Sequence, residues 1–185
     1  MRGFSETAKR RMKWIAALMV LAAADALAQQ QPVRREVLVS IPDRKMAILE
    51  DGQVVKIYPV TVGSGASPSP SGEFRIINRL TNPTYYHKGT VIPAGPANPL
   101  GNRWMGLSEK GYGIHGTNAP RSIGKAASHG CIRMAKHDLQ EAFRILRVGD
   151  RVVIRAEADE QTAHVFGNSG ATVLAQALTS APAGQ

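Results

Sequence analysis

A mainly β domain, a sandwich or barrel with one packed α-helix, is what this sequence predicts. Three observations carry the prediction. β-branched and other apolar residues come in short runs separated by turn-forming clusters. Asp51-Gly52, a dipeptide suited to the positive φ of a two-residue hairpin turn, stands between two of those runs. Only one stretch, residues 136–147, repeats its apolar residues at helical spacing.

The first strands are expected at 36–41 and 45–50, joined by Pro42-Asp43-Arg44, and Asp51-Gly52 then leads into a third at 54–62. Residues 63–72 are rich in Ser, Pro and Gly and read as loop, before an extended pattern resumes at 74–78. Residues 81–105, with Pro93, Pro96 and Pro99, are incompatible with regular helix; long irregular segments of this kind tend to be binding surfaces or lids. Leu139, Ala142, Phe143 and Leu146 then mark the apolar stripe of a helix over 136–147. Arg144 and Arg147 in its last turn oppose the negative end of the helix dipole, and Gly149-Asp150 ends it. A last strand is expected at 151–155. Residues 156–185, dominated by Ala, Thr, Ser, Gly and Gln, read as a flexible tail with at most a short helix near 172–178. There is no internal repeat.

The first 28 residues have the layout of a cleavable signal peptide. Lys9, Arg10, Arg11 and Lys13 precede an apolar stretch over 14–24, and Ala26-Leu27-Ala28 follows. That stretch is short of the roughly 20 residues a membrane-spanning helix needs. Without residues 1–28 the chain keeps 18 basic against 12 acidic residues, a net charge of +6. The charges are scattered, so they favour anionic polymers or surfaces in general without defining a fold or a partner. What remains is one domain of ordinary size, with enough length for a proper core.

Cys131 is the only cysteine of the chain. In an exported protein thiols are normally paired, so a lone one is either reactive or a buried apolar filler. It stands in Ser128-His129-Gly130-Cys131-Ile132-Arg133, sixteen residues after His115. An imidazole that takes the thiol proton raises the nucleophilic fraction, and either His115 or His129 is a candidate by spacing alone. Gly130 would let the backbone approach a substrate closely, and the amides of Gly130 and Cys131 are candidates for an oxyanion hole. Cys131, His115 and His129 are also a conceivable zinc ligand set, but the spacings match no zinc pattern and neither segment holds a carboxylate. His87, His137 and His164 read as solvated surface histidines.

The run HGTNAPRSIGKAASHGCIRM, from His115 to Met134, resembles the signature of the L,D-transpeptidase catalytic domain, the YkuD domain, in spacer length and in its Ser-His-Gly-Cys core. Asn98-Pro99-Leu100-Gly101 with Arg103-Trp104-Met105 extends the likeness. So does Ser69-Pro70-Ser71-Gly72-Glu73-Phe74, close to the family's Thr-Pro-x-Gly-x-Phe. The resemblance covers residues 36–155.

What the resemblance implies is a β-sandwich whose active site lies in a cleft under a flap, acting on peptidoglycan stem peptides without cofactor or metal. Cys131 is then the nucleophile, releasing a terminal D-alanine and holding the rest of the stem as a thioester that an amine resolves. His115 is the proton acceptor and donor, the Gly116 carbonyl orients its ring, and His129 stands behind the reacting pair. Arg133 is expected to hold a substrate carboxylate, which suits a guanidinium. Trp104 and Tyr112 line the cleft or belong to the core. The acceptor stays open among diaminopimelate, a free D-amino acid, a lysine of an outer-membrane-linked protein, and water, which would make the protein a carboxypeptidase or other hydrolase. A non-catalytic wall-binding module with an inert Cys131 is the alternative from another class. The protein is expected in the periplasm or cell wall, as a monomer, with no nucleic-acid partner.

Overall fold

The structure is a computed structural model and describes residues 33–167. The expected signal peptide and the helix near 172–178 lie outside the described residues. Among the described residues there are eleven strands: β1 (Arg35–Ser40), β2 (Lys45–Glu50), β3 (Gln53–Gly63), β4 (Gly72–Thr81), β5 (Tyr85–His87), β6 (Thr90–Ile92), β7 (Arg103–Leu107), β8 (Gly113–His115), β9 (Ala126–Ser128), β10 (Ile132–Met134) and β11 (Arg151–Arg155). The main helix, α1, spans Lys136–Ile145.

β10, β8, β7, β4, β11, β1, β2 and β3 follow one another in the main sheet, and β10 pairs back onto β3, so the sheet closes into a barrel. The eleven-residue β3 makes closure possible because it serves three partners along its length. Its first part pairs with β2, Val60 and Thr61 pair with β10, and Val62 and Gly63 pair with β9. Closure leaves fewer unpaired backbone groups than an open sheet would.

β1, β2 and β11 are apolar on both faces. Val37, Val39, Met46, Ile48, Val152 and Ile154 face the main core, which Leu139 and Ala142 of α1 and Leu146 just after it complete. Leu38, Ala47, Leu49 and Val153 face a second cluster. Strands covered on both sides read as nearly continuous apolar runs, as these do.

The second cluster corrects the expected flexible tail over residues 159–167, while residues 168–185 lie outside the described residues. Asp159, Glu160–Thr162 (α2) and the wide helical turn Ala163–Gly167 are ordered, and Val165 and Phe166, 6% and 4% exposed, cover the outer face of those strands. Asp159 and Thr162 form a reciprocal capping box at the start of α2. Two large apolar residues in a polar stretch are too few to reveal a packed segment by composition.

The segment expected to be irregular also holds structure. β5 and β6 form a hairpin turned by Lys88 and Gly89, both at positive φ. β4 runs from Gly72 to Thr81, beyond the expected 74–78, and β7 begins at Arg103. The helix ends at Ile145 rather than 147. Arg147 still serves its end, because its Nη1 donates to the carbonyls of Ile145 and Leu146, both at 2.9 Å.

Candidate active site

Registry places the candidate residues. Across the wall of the barrel Leu80, Trp104, His115, Arg133 and Thr61 stand opposite one another on β4, β7, β8, β10 and β3. Side chains alternate faces along a strand, so this row shares one face, while Met105, Ile114, Ile132 and Met134 turn to the core. Cys131 lies immediately before β10 and two residues from Arg133, which brings it to the face that carries His115. Its Sγ–H donates to the Gly111 carbonyl at 3.6 Å, and the Gly113 backbone of β8 also bonds to the sulfur.

His115 is 4% exposed. Its Nδ1 lies 2.6 Å from the Gly116 carbonyl oxygen. A carbonyl only accepts, so Nδ1 carries the proton and Nε2 is the basic nitrogen. Burial holds the imidazole down at about 4; the bond to Gly116 opposes this shift and the Arg133 charge adds to it. At neutral pH the ring is a neutral base. Burial pushes the Cys131 thiol up, while the Gly113 backbone and Arg133 pull it down. The resting pair is therefore thiol and neutral imidazole, not a preformed thiolate and imidazolium.

Gly116 is itself fixed. Its N–H donates to the Leu100 carbonyl at 2.8 Å, and a Cβ on it would lie 3.1 Å from that oxygen and from Gly101 Cα. The loop that clamps it is organised by Asn98, which is fully buried. Asn98 Nδ2 donates to the carbonyls of Pro83, Ile92 and Pro93, and Asn98 Oδ1 accepts from Leu100 N–H. One amide thus ties the β5–β6 hairpin region to the segment behind His115.

The turn before the nucleophile is built on Ser128. Its Oγ donates to the Cys131 carbonyl at 2.6 Å and accepts the Gly130 N–H at 3.0 Å. This corrects the expectation for Gly130, whose amide is spent inside the turn rather than turned toward an oxyanion. Gly130 is needed for another reason. Its φ is +111°, and a Cβ there would lie 2.5 Å from Tyr112 Cε1. Tyr112 is accordingly half-buried against this turn.

The remaining expected residues divide. Arg133 is half-buried, and its charge acts on both His115 and Cys131. Trp104 stacks on His115 with ring centroids 5.6 Å apart and planes at 26°. His129 is exposed, so of the two histidines only His115 is buried on the face with Cys131. Among the described residues no group of three His, Cys, Asp or Glu side chains is placed to hold a metal ion. Among them, too, no helix is long and apolar enough to cross a membrane. The sequence reading missed the structural parts of Ser128 and Asn98, although a serine two residues before a turn glycine and an Asn-Pro pair are recognisable turn signals.

A single thiol and a tautomer-fixed imidazole on one wall of a closed β-barrel define the class of thiol–imidazole sites. The chain belongs to the L,D-transpeptidase catalytic domain family, YkuD, which matches residues 34–154. The putative L,D-transpeptidase YqjB of Bacillus subtilis is 40% identical over 123 residues, covering 64% of this chain and 69% of that protein. The putative L,D-transpeptidase YkuD of the same organism is 42% identical over 118 residues, 64% of each. The probable L,D-transpeptidase ErfK/SrfK of Escherichia coli is 28% identical, and the matched region spans 49% of its length. Among solved structures, an L,D-transpeptidase from Mycobacterium smegmatis superposes with a TM-score of 0.58 at 18% identity, covering 67% of this chain and 59% of that one. One from Enterococcus faecium gives 0.57 at 24% identity, covering 66% and 50%. These two establish the fold.

Proposed function

We propose that this protein is an exported L,D-transpeptidase that acts on peptidoglycan stem peptides through a Cys131 thioester. The observation that carries the reading is the fixed tautomer of His115, with Nδ1–H on the Gly116 carbonyl and Nε2 left as the base on the face of Cys131. Family membership supports the substrate class, and the layout of residues 1–28 supports delivery to the periplasm or wall. Residues 36–155 are the catalytic domain in this reading, working as a monomer.

The resting pair is uncharged, so proton transfer accompanies attack. Nε2 of His115 takes the Cys131 proton as Sγ adds to the carbonyl of the third stem residue. The tetrahedral oxyanion is assigned to the Cys131 N–H, since the Gly130 N–H is held by Ser128. Collapse breaks the bond to the terminal D-alanine, whose leaving nitrogen takes the proton from His115, and a thioester remains. An amine then attacks the thioester, His115 removes its proton, and Cys131 leaves as the thiol. Arg133 holds a carboxylate of the donor beside the scissile bond. The amine is a diaminopimelate of a second stem, a free D-amino acid or a lysine of an outer-membrane-linked protein.

Incubation with tetrapeptide-bearing murein fragments, followed by mass analysis of protein and products, tests the reading. A Cys131 adduct that has lost D-alanine, and a product joined through a new amide, are expected. Tripeptide alone would make water the acceptor. No adduct, together with unchanged fragments, would sink the enzymatic reading in favour of a wall-binding module.

A further inference from the structure

The Trp104 ring that stacks on His115 is itself anchored. Its Nε1–H donates to Asn78 Oδ1 at 3.1 Å, and the same oxygen accepts the Gly106 N–H at 3.3 Å. Asn78 meets these donors because β4 shifts register against β7 between Ile76 and Asn78, an irregularity that re-aims a strand side chain. Two glycines make room for the indole. A Cβ on Gly106 would lie 2.6 Å from Asn78 Oδ1 and 2.9 Å from Trp104 Nε1, and one on Gly113 would lie 2.5 Å from Trp104 Cη2. Backbone shift, glycine slot and hydrogen bond all converge on one ring orientation.

We propose that Trp104 is a positioning residue for His115 and that Asn78 locks it, so that β4 and β7 set the plane of the base serving Cys131. The proposal deepens the transpeptidase reading and rests on it for the role of His115. The Gly116 carbonyl fixes the imidazole at one nitrogen only, and a ring held at one point can still swing about that bond. A stacked indole removes the swing and excludes water from the ring face. The groups around His115 from the neighbouring strands are the neutral Trp104 of β7, itself held by Asn78 of β4, the Arg133 guanidinium of β10, and the Cys131 thiol before it. Trp104 therefore orients the base without adding charge. Misplacing a catalytic group by about 1 Å costs on the order of 100-fold in rate, which is the scale of effect a lost stack can have.

The test uses four variants of the full chain: Trp104→Leu, Trp104→Phe, Asn78→Ala, and Asn78→Ala combined with Trp104→Phe. For each, the acylation rate at saturating tetrapeptide murein fragment, its KM, and the NMR titration midpoint of the His115 imidazole are measured. Trp104→Leu is expected to slow acylation about 10- to 100-fold with little change in KM, and to move the midpoint from about 4 toward the ordinary 6.5. Trp104→Phe keeps an aromatic plane and recovers most of the rate. Asn78→Ala costs several-fold alone but nothing further in the Trp104→Phe background, because the indole N–H it serves is gone. A rise in KM alone with an unmoved midpoint would overturn the proposal and leave Trp104 as cleft wall. An equal cost of Asn78→Ala in both backgrounds would show that Asn78 acts only through Gly106. If the wild-type chain forms no acyl-enzyme, the transpeptidase reading fails, yet the titration still decides whether Trp104 and Asn78 set the state of His115.

Discussion

The two halves of the barrel wall are made of the same kind of strand and do different work. In β11, β1 and β2 both faces are sealed, the inner one by the main core and the outer one by Val165 and Phe166. In β7, β8 and β10 only one face is apolar core, and the other carries Trp104, His115 and Arg133 in a row. The first half illustrates stability from area removed from water, at about 25 cal/mol per Å². The second shows what a site costs, since a buried imidazole and a half-buried thiol are both held in their neutral forms by their removal from water. The candidate site and the doubly sealed core thus lie on different strands, so the proposed activity and the stability should be separable by mutation.

The largest separation is expected at the site. Cys131→Ala should abolish the acyl-enzyme adduct in the mass spectrum, and His115→Ala should reduce its rate by about 1,000-fold or more, while thermal melting changes little for Cys131→Ala. A Cys131→Ala protein that still transfers acyl groups would break the comparison outright. In the other half, Leu38→Ala should lower unfolding free energy by about 2–5 kcal/mol in denaturant titration and leave the activity per folded molecule unchanged. Loss of activity in proportion to lost stability would mean the two halves are not independent.

A pH series sharpens the contrast further. The folded His115 titrates at about 4 against 6.5 ordinarily, so between those values the unfolded chain binds a proton that the folded chain refuses. Stability therefore rises with pH through that window and is lost as pH falls from about 6.5 toward 4, by up to about 3 kcal/mol. His115→Gln should flatten this part of the stability profile; an unchanged profile would mean the imidazole is not buried as described. The smallest effect is expected at the cap of the C-terminal turn, where Asp159→Ala should cost about 1 kcal/mol in stability and nothing in acylation.

How far the chain could be read depended on whether a feature is local. β2 and β11 fall where their apolar runs place them, and Asp51-Gly52 turns as expected, with φ values of 49° and 81°. The α1 stripe is equally local, and the helix differs from expectation only at its C-terminal end. The β5–β6 hairpin was hidden because prolines on either side dominate the composition of 81–105, although Lys88-Gly89 is a compatible turn. The role of Asn78 carries no local signal at all, since it depends on a register shift between two strands.

By itself the sequence determined a mainly β domain with one helix, the lone thiol, and the family signature from His115 to Met134, because periodicity, turn chemistry and residue identity are properties of short segments. Only the tertiary structure decided which histidine is buried on the face of Cys131, which amide the turn consumes, and which ring stacks on that histidine. Those outcomes follow from strand register and from burial, which place residues 78, 104, 115 and 131 together across four strands or strand ends. The family likeness pointed to His115 by its motif, but the physical difference between His115 and His129 is which side chain loses its water, and burial of that kind is not written in any short segment.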